Sequence, residues 1–186
     1  DRTIVAIPKR DWNEMRDAYI PFDDMFSFDG DENDLVARYL ACALRFQADI
    51  IVRIPCDNPC VEPEYIDEAV QEYMDNPYIY YSNTTAWMMS RNIEVDGVGA
   101  EVFSLSRLKW LDAQTSMEFP VYREHPHKFF ESRGLLRTYK AILRLDVNTP
   151  ADYEFISDIY DALYPANPHF TITDILAYLE TKKVTA

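Results

Sequence analysis

The sequence predicts an α/β fold in which a mostly parallel sheet is flanked by helices. Short apolar runs with strand character alternate along the chain with longer segments of helical spacing, which is the pattern of strand–helix–strand units. The run from 49 to 55 is a continuous, mostly β-branched stretch, as expected for a parallel strand covered on both faces. With 186 residues and 48% hydrophobic content, the chain is long enough for one substantial core, so we predict a single domain over residues 1–186.

Strands are predicted where apolar residues run together and stop at a proline or a polar residue. The segment 3–8 is the first example, because five residues of strand character end at Pro8. Residues 21–30 are predicted to form a loop that leaves room for a short strand around Phe26 and Phe28. The predicted strands cover residues 3–8, 49–55, 78–82, 100–103 and 141–147.

Helices are predicted where apolar residues recur every three or four positions. The segment 31–46 opens with acidic residues, which suit the positive end of a helix. Thr149 is predicted to cap a helix that has Pro150 at its first position and Asp152 at its third, a capping-box arrangement. The predicted helices cover 31–46, 63–74, 104–114, 149 to about 164, and a last one from 171, whereas 115–134 is predicted to be an irregular helical excursion.

Composition and charge exclude several classes of function. A formal net charge of −14 repels a phosphate backbone, so we predict no nucleic-acid partner. The apolar runs are short and interrupted by charge, and no basic segment followed by an apolar one opens the chain, so we predict no membrane span and no export signal. Three cysteines without a CxxC spacing favour reduced thiols and a cytoplasmic location.

Two segments far apart in sequence end apolar strands in oxygen-bearing side chains followed by a proline. Asp57 and Asn58 follow the strand at 49–55, and Asp146 and Asn148 close the strand at 141–147. An α/β protein presents oxygen ligands to a divalent cation in this way at the carboxyl edge of its sheet. The alternatives are that Asp57 bonds its own backbone before Pro59, that Asp146 is a solvated edge residue, and that Asn148 leads into the helix cap.

Charged residues inside predicted strands are the other candidates. Arg53 lies in an apolar run, and a buried guanidinium needs partners. It is predicted to pair with Glu101 or Asp57 as a scaffold element or to reach a substrate phosphate. Glu101 is predicted either to be structural or to hydrogen-bond a ligand.

Six segments carry a resemblance to a known family through their order and spacing. They are Gly30-Asp31-Glu32-Asn33-Asp34 with Arg38-Tyr39, Val52 to Pro59 with Cys56 at a glycine place, Tyr81-Ser82-Asn83, Glu101-Val102-Phe103-Ser104, Arg123-Glu124-His125-Pro126, and Arg144 to Asp152. Together they resemble the cytidylyltransferases of surface-polysaccharide synthesis, in the spore-coat branch related to the enzymes that make CMP-sialic acid and CMP-Kdo. The resemblance implies a Rossmann-like nucleotide-diphospho-sugar transferase fold.

The resemblance implies nucleotidyl transfer from CTP to a sugar, with Mg²⁺ as the cofactor and pyrophosphate as the leaving group. Such a reaction needs positioning and charge neutralisation more than covalent help from the protein. Mg²⁺ keeps several waters, so one or two carboxylates suffice. The predicted catalytic residues are Asp57 and Arg53, the metal ligands Asp57, Asp146 and Asn148, the cofactor-binding residues Gly30 and Asn33, and the substrate-binding residues Tyr81, Asn83, Glu101, Arg123 and His125.

Each substrate assignment has a structural alternative. Arg123 suits a sugar carboxylate, whereas His125 is more often a surface or capping residue and Tyr81 a core residue. Cys56 and Cys60 are predicted to be spectators, because no histidine is near enough in sequence for a zinc site or an activated thiol. We expect a homodimer whose contact is the aromatic segment 115–130.

Two departures from the family pattern leave rival functions open. Residue 1 corresponds to the family's second strand, so we expect an N-terminally truncated chain without the triphosphate-cradling loop. Asn148 stands where the family has an aspartate. A non-catalytic subunit that keeps the fold is therefore the first rival. A glycosyltransferase that uses a preformed nucleotide-sugar is the second, although this chain offers only Asp57-Asn58 where that class needs Asp-x-Asp.

Overall fold

The computed structural model describes residues 2–18, 24–76, 82–83, 95–135 and 141–185. The chain divides into two compact units. Unit 1 comprises Asp1–Ile51, Pro77–Tyr81 and Val102–Arg137, and unit 2 comprises Val52–Asn76, Ser82–Glu101 and Thr138–Ala186. The prediction of a single domain stays a prediction.

Strands and helices alternate along the described residues, as the sequence predicts. The strands are β1 (Val5–Pro8), β2 (Met25–Phe28), β3 (Ile50–Arg53), β4 (Ser82–Asn83), β5 (Val95–Asp96), β6 (Glu101–Ser104) and β7 (Leu143–Arg144). The helices are α1 (Trp12–Ala18), α2 (Leu35–Phe46), α3 (Pro63–Asp75), α4 (Leu105–Gln114), α5 (Pro120–Glu124), α6 (Pro126–Ser132), α7 (Pro150–Leu163) and α8 (Ile172–Thr185), with a 3-10 turn at Lys9–Asp11.

The strand pairs with a described register are parallel. β1 pairs with β2 from Val5 opposite Met25 to Pro8 opposite Phe28. β5 pairs with β7 through Val95 opposite Leu143. The remaining described strands form a sheet in the order β3-β6-β4. In a parallel pair both carboxyl ends lie at the same edge, so the loops that follow the two strands meet there.

Side-chain caps start the helices at the positions where the sequence carries them. Asp34 accepts a hydrogen bond from the backbone N–H of Ala37 and so starts α2. Ser104 does the same for α4 through the N–H of Arg107. At α7 the predicted capping box is confirmed, because Thr149 and Asp152 bond each other's backbone N–H.

Each unit has its own apolar core. In unit 1 the aromatic rings of α4 and α6 pack together, with Trp110 and Phe129 in a T-shaped contact at 5.6 Å. In unit 2, helices α7 and α8 pack around the strand residue Val95 and the residue that follows β7, Leu145. The buried core residues are Val36, Phe103, Leu108, Leu111, Phe129 and Phe130 in unit 1, and Cys60, Val95, Val98, Leu145, Ile156, Ile159, Ile172 and Ile175 in unit 2.

The structure corrects several predicted boundaries. The 3-10 turn and α1 were not predicted, because the segment 9–18 is short and mostly polar, although Trp12, Met15 and Ala18 recur at helical spacing. The helix predicted from 31 begins at Leu35, since residues 31–34 form the turn that presents its cap. Within the strand predicted at 141–147, the pairing with β5 in the described part of the chain lies at Leu143–Arg144.

The excursion at 115–134 is helical, as predicted, and consists of α5 and α6. Both helices have proline at their first position, where the missing N–H costs nothing. Residues 78–81 of a predicted strand lie outside the described residues, and Ser82 belongs to β4. Among the described helices, none combines the length and apolar character needed to cross a membrane.

Candidate functional site

A cavity of about 470 Å³ lies in unit 1 at the shared carboxyl edge of β1 and β2. Residues 29–34, which connect β2 to α2, form one side of it, and we call them the cavity loop. Gly30 is needed here for space, because a Cβ at this position would lie 2.4 Å from the ring of Phe28. The lining residues are Pro8, Lys9, Arg10, Phe28, Asp29, Gly30, Asp31 and Glu32.

Hydrogen bonds and ion pairs hold the cavity loop in shape. The backbone N–H of Asn33 donates to Oδ1 of Asp31 at 2.9 Å, and that of Asp34 donates to the carbonyl of Asp31 at 3.0 Å. Lys9 pairs with Asp29 at 2.5 Å. Arg10 pairs with Glu32, whose carbonyl accepts a hydrogen bond from the guanidinium of Arg38. The predicted cofactor-binding residues Gly30 and Asn33 therefore belong to one ordered loop, and Gly30 lines the cavity.

Arg123 is buried in unit 1 and bonds three residues on two elements. Its Nε donates to Oδ1 of Asp34 at 2.8 Å, and its Nη2 donates to Oδ1 of Asp112 at 2.8 Å. Nη1 faces the hydroxyl of Thr115 at 3.2 Å. Burial opposes the charged guanidinium, but the hydrogen bonds to the two aspartates outweigh burial and raise the pKa of Arg123.

In unit 2 the two charged strand residues pair with each other. Nη1 of Arg53 lies 3.1 Å from Oε2 of Glu101, and the side chains are only 16% and 5% exposed. This pairing matches the scaffold role that the sequence predicts for Arg53. A buried pair of this kind is costly to break from either side.

The loop after β3 lies beside the segment that follows β7. The backbone N–H of Val147 donates to the carbonyl of Asp57 at 2.8 Å. Asn58 bonds the carbonyl of Gly99 through Nδ2 at 3.5 Å. Oδ1 of Asp57 is buried and has no hydrogen-bond partner among the described residues. The two strand-end segments singled out in the sequence are thus brought together, with one carboxylate oxygen left unsatisfied.

Asp146 is engaged by its own strand neighbours. Arg144 donates from Nε to Oδ1 at 3.0 Å and from Nη2 to Oδ2 at 2.5 Å. Nδ2 of Asn148 donates to Oδ2 at 2.5 Å. The hydrogen bond from Arg144 is the main reason that the pKa of Asp146 lies below its ordinary value. The Arg144 side chain is 65% exposed, so this pair is open to exchange with solvent.

Gly97 allows its own backbone to lie directly against the backbone of Asp146. Its φ is +79°, and a Cβ would lie 2.3 Å from the backbone nitrogen of Asp146. The N–H of Leu145 donates to the carbonyl of Asp96 at 2.9 Å in the same region. A side chain at position 97 is therefore excluded both by backbone conformation and by space.

The donor set fits a magnesium ion held by few protein ligands. No group of three or more His, Cys, Asp or Glu side chains in the described ranges is arranged to hold a metal. Mg²⁺ usually keeps several waters and takes one or two carboxylates. The unsatisfied Oδ1 of Asp57 meets that need, whereas Asp146 would first have to exchange its bond to Arg144.

A family model described as Cytidylyltransferase matches residues 23–165, which is more than half of the chain. The chain belongs to the cytidylyltransferase family. This confirms the resemblance stated from the sequence motifs. The match includes the cavity loop, Asp57 and Asp146.

Two curated proteins are similar to this chain over most of its length. The cytidylyltransferase chain is 24% identical over 167 residues to the spore coat polysaccharide biosynthesis protein SpsF of Bacillus subtilis, covering 86% of this chain and 67% of that protein. It is 26% identical over 144 residues to an uncharacterized protein of Methanocaldococcus jannaschii, covering 71% of this chain and 54% of the relative.

A solved structure of a cytidylyltransferase from Leptospira borgpetersenii serovar Hardjo-bovis shares the fold. The TM-score is 0.77 at 23% identity, and the match covers 93% of this chain and 73% of that chain. The Rossmann-like α/β fold predicted from the sequence is confirmed by this likeness.

The remaining predicted site residues stand as follows. His125 lies between α5 and α6, where its side chain makes no capping hydrogen bond, and its contact with the substrate stays a prediction. Tyr81 and the side chain of Asn83 lie outside the described residues. The homodimer and the cytoplasmic location stay predictions, and three apolar side chains of segment 115–130 are exposed: Met117, Phe119 and Val121.

Sequence reasoning missed the cationic side of the cavity. Lys9 and Arg10 follow directly after Pro8, where β1 ends, and both line the cavity. The available signal was two consecutive basic residues at the carboxyl end of a predicted strand, in a chain with a net charge of −14. Cys60 lies in the core of unit 2, where burial raises the pKa of its thiol to about 11.

Proposed function

We propose that this chain carries out nucleotidyl transfer from CTP to a sugar, as part of cell-surface polysaccharide synthesis. A sugar hydroxyl attacks the α-phosphate of CTP, a P–O bond forms, and the bond to the β-phosphate breaks. The products are a CMP-activated acidic or amino sugar, pyrophosphate and a proton. The observation that carries the proposal is the cytidylyltransferase match over residues 23–165, which includes the cavity loop and the Asp57 segment.

The cavity of unit 1 supports binding of the nucleotide. Its volume of about 470 Å³ lies within the usual range for small-molecule sites. It lies at the carboxyl edge of parallel strands, where α/β proteins bind nucleotides. Lys9 and Arg10 line its wall and are paired there with Asp29 and Glu32, so a triphosphate bound here would take these two cations over from the carboxylates.

The Asp57 segment supports the proposed use of Mg²⁺. Asp57 would hold the ion through its unsatisfied oxygen, with Asp146 and Asn148 as further candidate ligands. Bound there, the ion would supply positive charge for phosphate oxygens. Asp57 contributes a fixed negative charge, while the Arg53–Glu101 pair and the bond from Val147 to the Asp57 carbonyl hold its surroundings in place.

The relative named for spore coat polysaccharide biosynthesis supports the proposed pathway class. It is 24% identical over 86% of this chain. The sugar is proposed to be acidic or amino, as in the branch that the sequence motifs resemble.

A pyrophosphate-release assay on the full-length gene product tests this function. The assay would use each of the four nucleoside triphosphates with a panel of acidic and amino sugars and Mg²⁺. We expect release only with CTP and with a subset of the sugars. Release with another triphosphate, or none with CTP across the whole panel, would contradict the proposal.

Asn148 favours a second candidate, a subunit that keeps the fold without catalysis. An amide is a weaker metal ligand than a carboxylate because it lacks the charge. This candidate predicts that CTP binds, as measured by calorimetry, while no pyrophosphate is released. Replacing Asn148 by Asp separates the two candidates, because only a weakened enzyme would gain turnover from the added charge.

A further inference from the structure

We propose that Arg123 is a positioning residue that holds the cavity loop of unit 1 in its nucleotide-binding shape through Asp34. This inference rests on the proposed function, because it assigns the loop to CTP. It replaces the contact with a sugar carboxylate that the sequence predicts for Arg123. The role is indirect, since the guanidinium acts on the loop and not on the substrate.

All three guanidinium nitrogens of Arg123 donate hydrogen bonds inside unit 1, and Nη2 has one N–H beyond its bond to Asp112. In addition to the hydrogen bonds to the carboxylates of Asp34 and Asp112, Arg123 contacts two backbone carbonyls. Its Nη1 lies 3.4 Å from the carbonyl of Asp112 and 3.4 Å from that of Thr115. The side chain is only 7% exposed. A guanidinium has five N–H donors, and these acceptors account for Nε and both terminal nitrogens. Bidentate binding of a sugar carboxylate would require this set to break apart at a buried position.

Asp34 transmits the contact to the cavity. Its Oδ1 accepts from Nε of Arg123 at 2.8 Å and also from the N–H of Ala37 at 2.9 Å, as the cap of α2. Its own N–H bonds the carbonyl of Asp31 at 3.0 Å, and Asp31 lines the cavity. A shift of Asp34 would therefore move the end of the cavity loop and the start of α2 together.

The positive charge of Arg123 also favours binding of the nucleotide. Asp29, Asp31 and Glu32 already line the cavity, and Asp34 adds a fourth carboxylate at the end of the same loop. Arg123 neutralises Asp34 at 2.8 Å. Without that cation the loop would present more negative charge to an incoming triphosphate, which is itself anionic.

Asp112 provides a matched control. Arg123 makes a second ion pair with Asp112, also at 2.8 Å, but Asp112 belongs to α4 and does not line the cavity. Asp34→Asn and Asp112→Asn remove the same charge from the two sides of one guanidinium. Asparagine keeps the cap of α2, since it caps helices as well as aspartate does. The two variants thus separate loop positioning from general stability.

The experiment measures CTP binding by calorimetry in the presence of Mg²⁺. We expect Asp34→Asn to weaken the Kd for CTP about tenfold, a loss of 1.4 kcal/mol, and Asp112→Asn to leave it within about twofold. Arg123→Lys should give an intermediate loss, because lysine keeps the charge without the planar fork. The double variant Asp34→Asn, Arg123→Lys should bind CTP no more weakly than Asp34→Asn alone.

Two further measurements distinguish a local change in the cavity loop from a general loss of stability in a variant. Hydrogen exchange of residues 29–37 should accelerate in Asp34→Asn and Arg123→Lys, and should not in Asp112→Asn. With a sugar that supports turnover, the KM for CTP should rise in Asp34→Asn while kcat stays within about twofold. A structural role alone would change melting temperature in both aspartate variants and leave the KM for CTP unchanged.

The outcomes distinguish this inference from the function on which it rests. If wild-type protein binds CTP and Asp34→Asn binds it equally well, the positioning role is wrong and the proposed function stands. A rise in the KM for the sugar without a change for CTP would likewise overturn it, in favour of a substrate contact. If wild-type protein does not bind CTP, the proposed function fails and this inference fails with it.

Discussion

The two strand edges of the molecule use their carboxylates in opposite ways. In unit 1 the acidic residues of the cavity loop are engaged: Asp29 by Lys9, Glu32 by Arg10 and Asp34 by Arg123. In unit 2, Oδ1 of Asp57 is buried with no hydrogen-bond partner among the described residues. Asp146 is held by an arginine that is 65% exposed. At the unit 1 edge, these three carboxylates are each paired with a cation. At the unit 2 edge, one carboxylate oxygen has no hydrogen-bond partner among the described residues.

The two edges therefore differ in role: paired carboxylates fix the conformation of a loop, whereas an unpaired carboxylate oxygen is open to an external group. Carboxylates that are paired and hydrogen-bonded fix a loop, because moving them would leave charges without partners. A buried oxygen without a partner is costly unless something outside the protein chain satisfies it. We therefore expect changes at the unit 1 edge to act on nucleotide affinity and changes at the unit 2 edge to act on turnover.

The largest effect is expected from Gly97→Ala, which tests how tightly unit 2 is closed around Asp146. The new Cβ would lie 2.3 Å from a backbone nitrogen, at a φ of +79°. We expect a loss of about 3 kcal/mol or more in the free energy of unfolding, measured with urea.

Gly134→Ala is the matched control for that experiment. Its φ is +67°, but no atom of the described residues lies within 4 Å of the added Cβ. Backbone strain alone predicts a loss of about 1 kcal/mol. Equal losses for the two variants would show that the backbone of unit 2 is not closed as tightly as described.

Asp57→Asn tests whether the negative charge of Asp57 is needed for turnover. The amide keeps the size of the side chain but removes the charge, so turnover should fall by about 100-fold while the melting temperature changes little. Pyrophosphate release and circular dichroism measure the two quantities. Asp161→Asn, at an exposed position on α7, is the control and should leave both unchanged. Wild-type turnover of Asp57→Asn at saturating Mg²⁺ would remove Asp57 from the site.

Gly30→Ala tests the shape of the unit 1 edge. The methyl group would lie 2.4 Å from the Phe28 ring, which would have to move within the cavity wall. We expect the KM for CTP to rise about tenfold, as for one misplaced methyl group in a pocket, with a smaller change in kcat. An unchanged KM for CTP would mean that the nucleotide binds elsewhere.

Arg144→Gln is expected to have the smallest effect and tests the exchangeable pair. The pKa of Asp146 is below its ordinary value of 3.8, chiefly because of the hydrogen bond from Arg144. The pair therefore stabilises the fold above that pH, and the stabilisation is lost as the pH falls through the lowered pKa. Because Arg144 is 65% exposed, we expect the variant to lose less than about 1 kcal/mol at pH 7.

Urea unfolding at pH 7 and near pH 3 measures this difference. The gap between wild type and Arg144→Gln should shrink at the lower pH. Arg16→Gln, which removes an exposed pair with Asp17, serves as the control and should show no such change. A gap that grows on acidification would contradict the assignment of the shifted carboxylate.

Local signals were enough to predict the elements that carry their own caps. Ser104 before α4 and Thr149 with Asp152 at α7 are short-range patterns, and both appear at the predicted positions. The strand-end aspartate Asp57 was also predictable, because it follows an apolar, mostly β-branched run, although Val52 and Ile54 of that run are exposed and the strand is not covered on both faces as predicted. The helix α1 was missed although Trp12, Met15 and Ala18 recur at helical spacing, because it has only 7 residues and the others are polar.

The partners of Arg123 could not be predicted. Asp34 lies 89 positions away in sequence, and no local pattern links an Arg-Glu-His segment to the cap of a distant helix. The same holds for Asp57, whose unsatisfied oxygen depends on which groups the fold brings near it. Contacts between residues far apart in sequence determine which charged side chains are hydrogen-bonded. They also determine which side chain keeps an oxygen without a partner among the described residues.

The unequal exposure of the three thiols gives a handle for spectroscopy. Cys42 and Cys60 have pKa values raised to about 11 by burial, so a maleimide at neutral pH should react with Cys56, which is exposed. A fluorophore attached there would sit one residue before Asp57. Its emission would then report cation and nucleotide binding in real time, without any need to know which sugar the enzyme accepts.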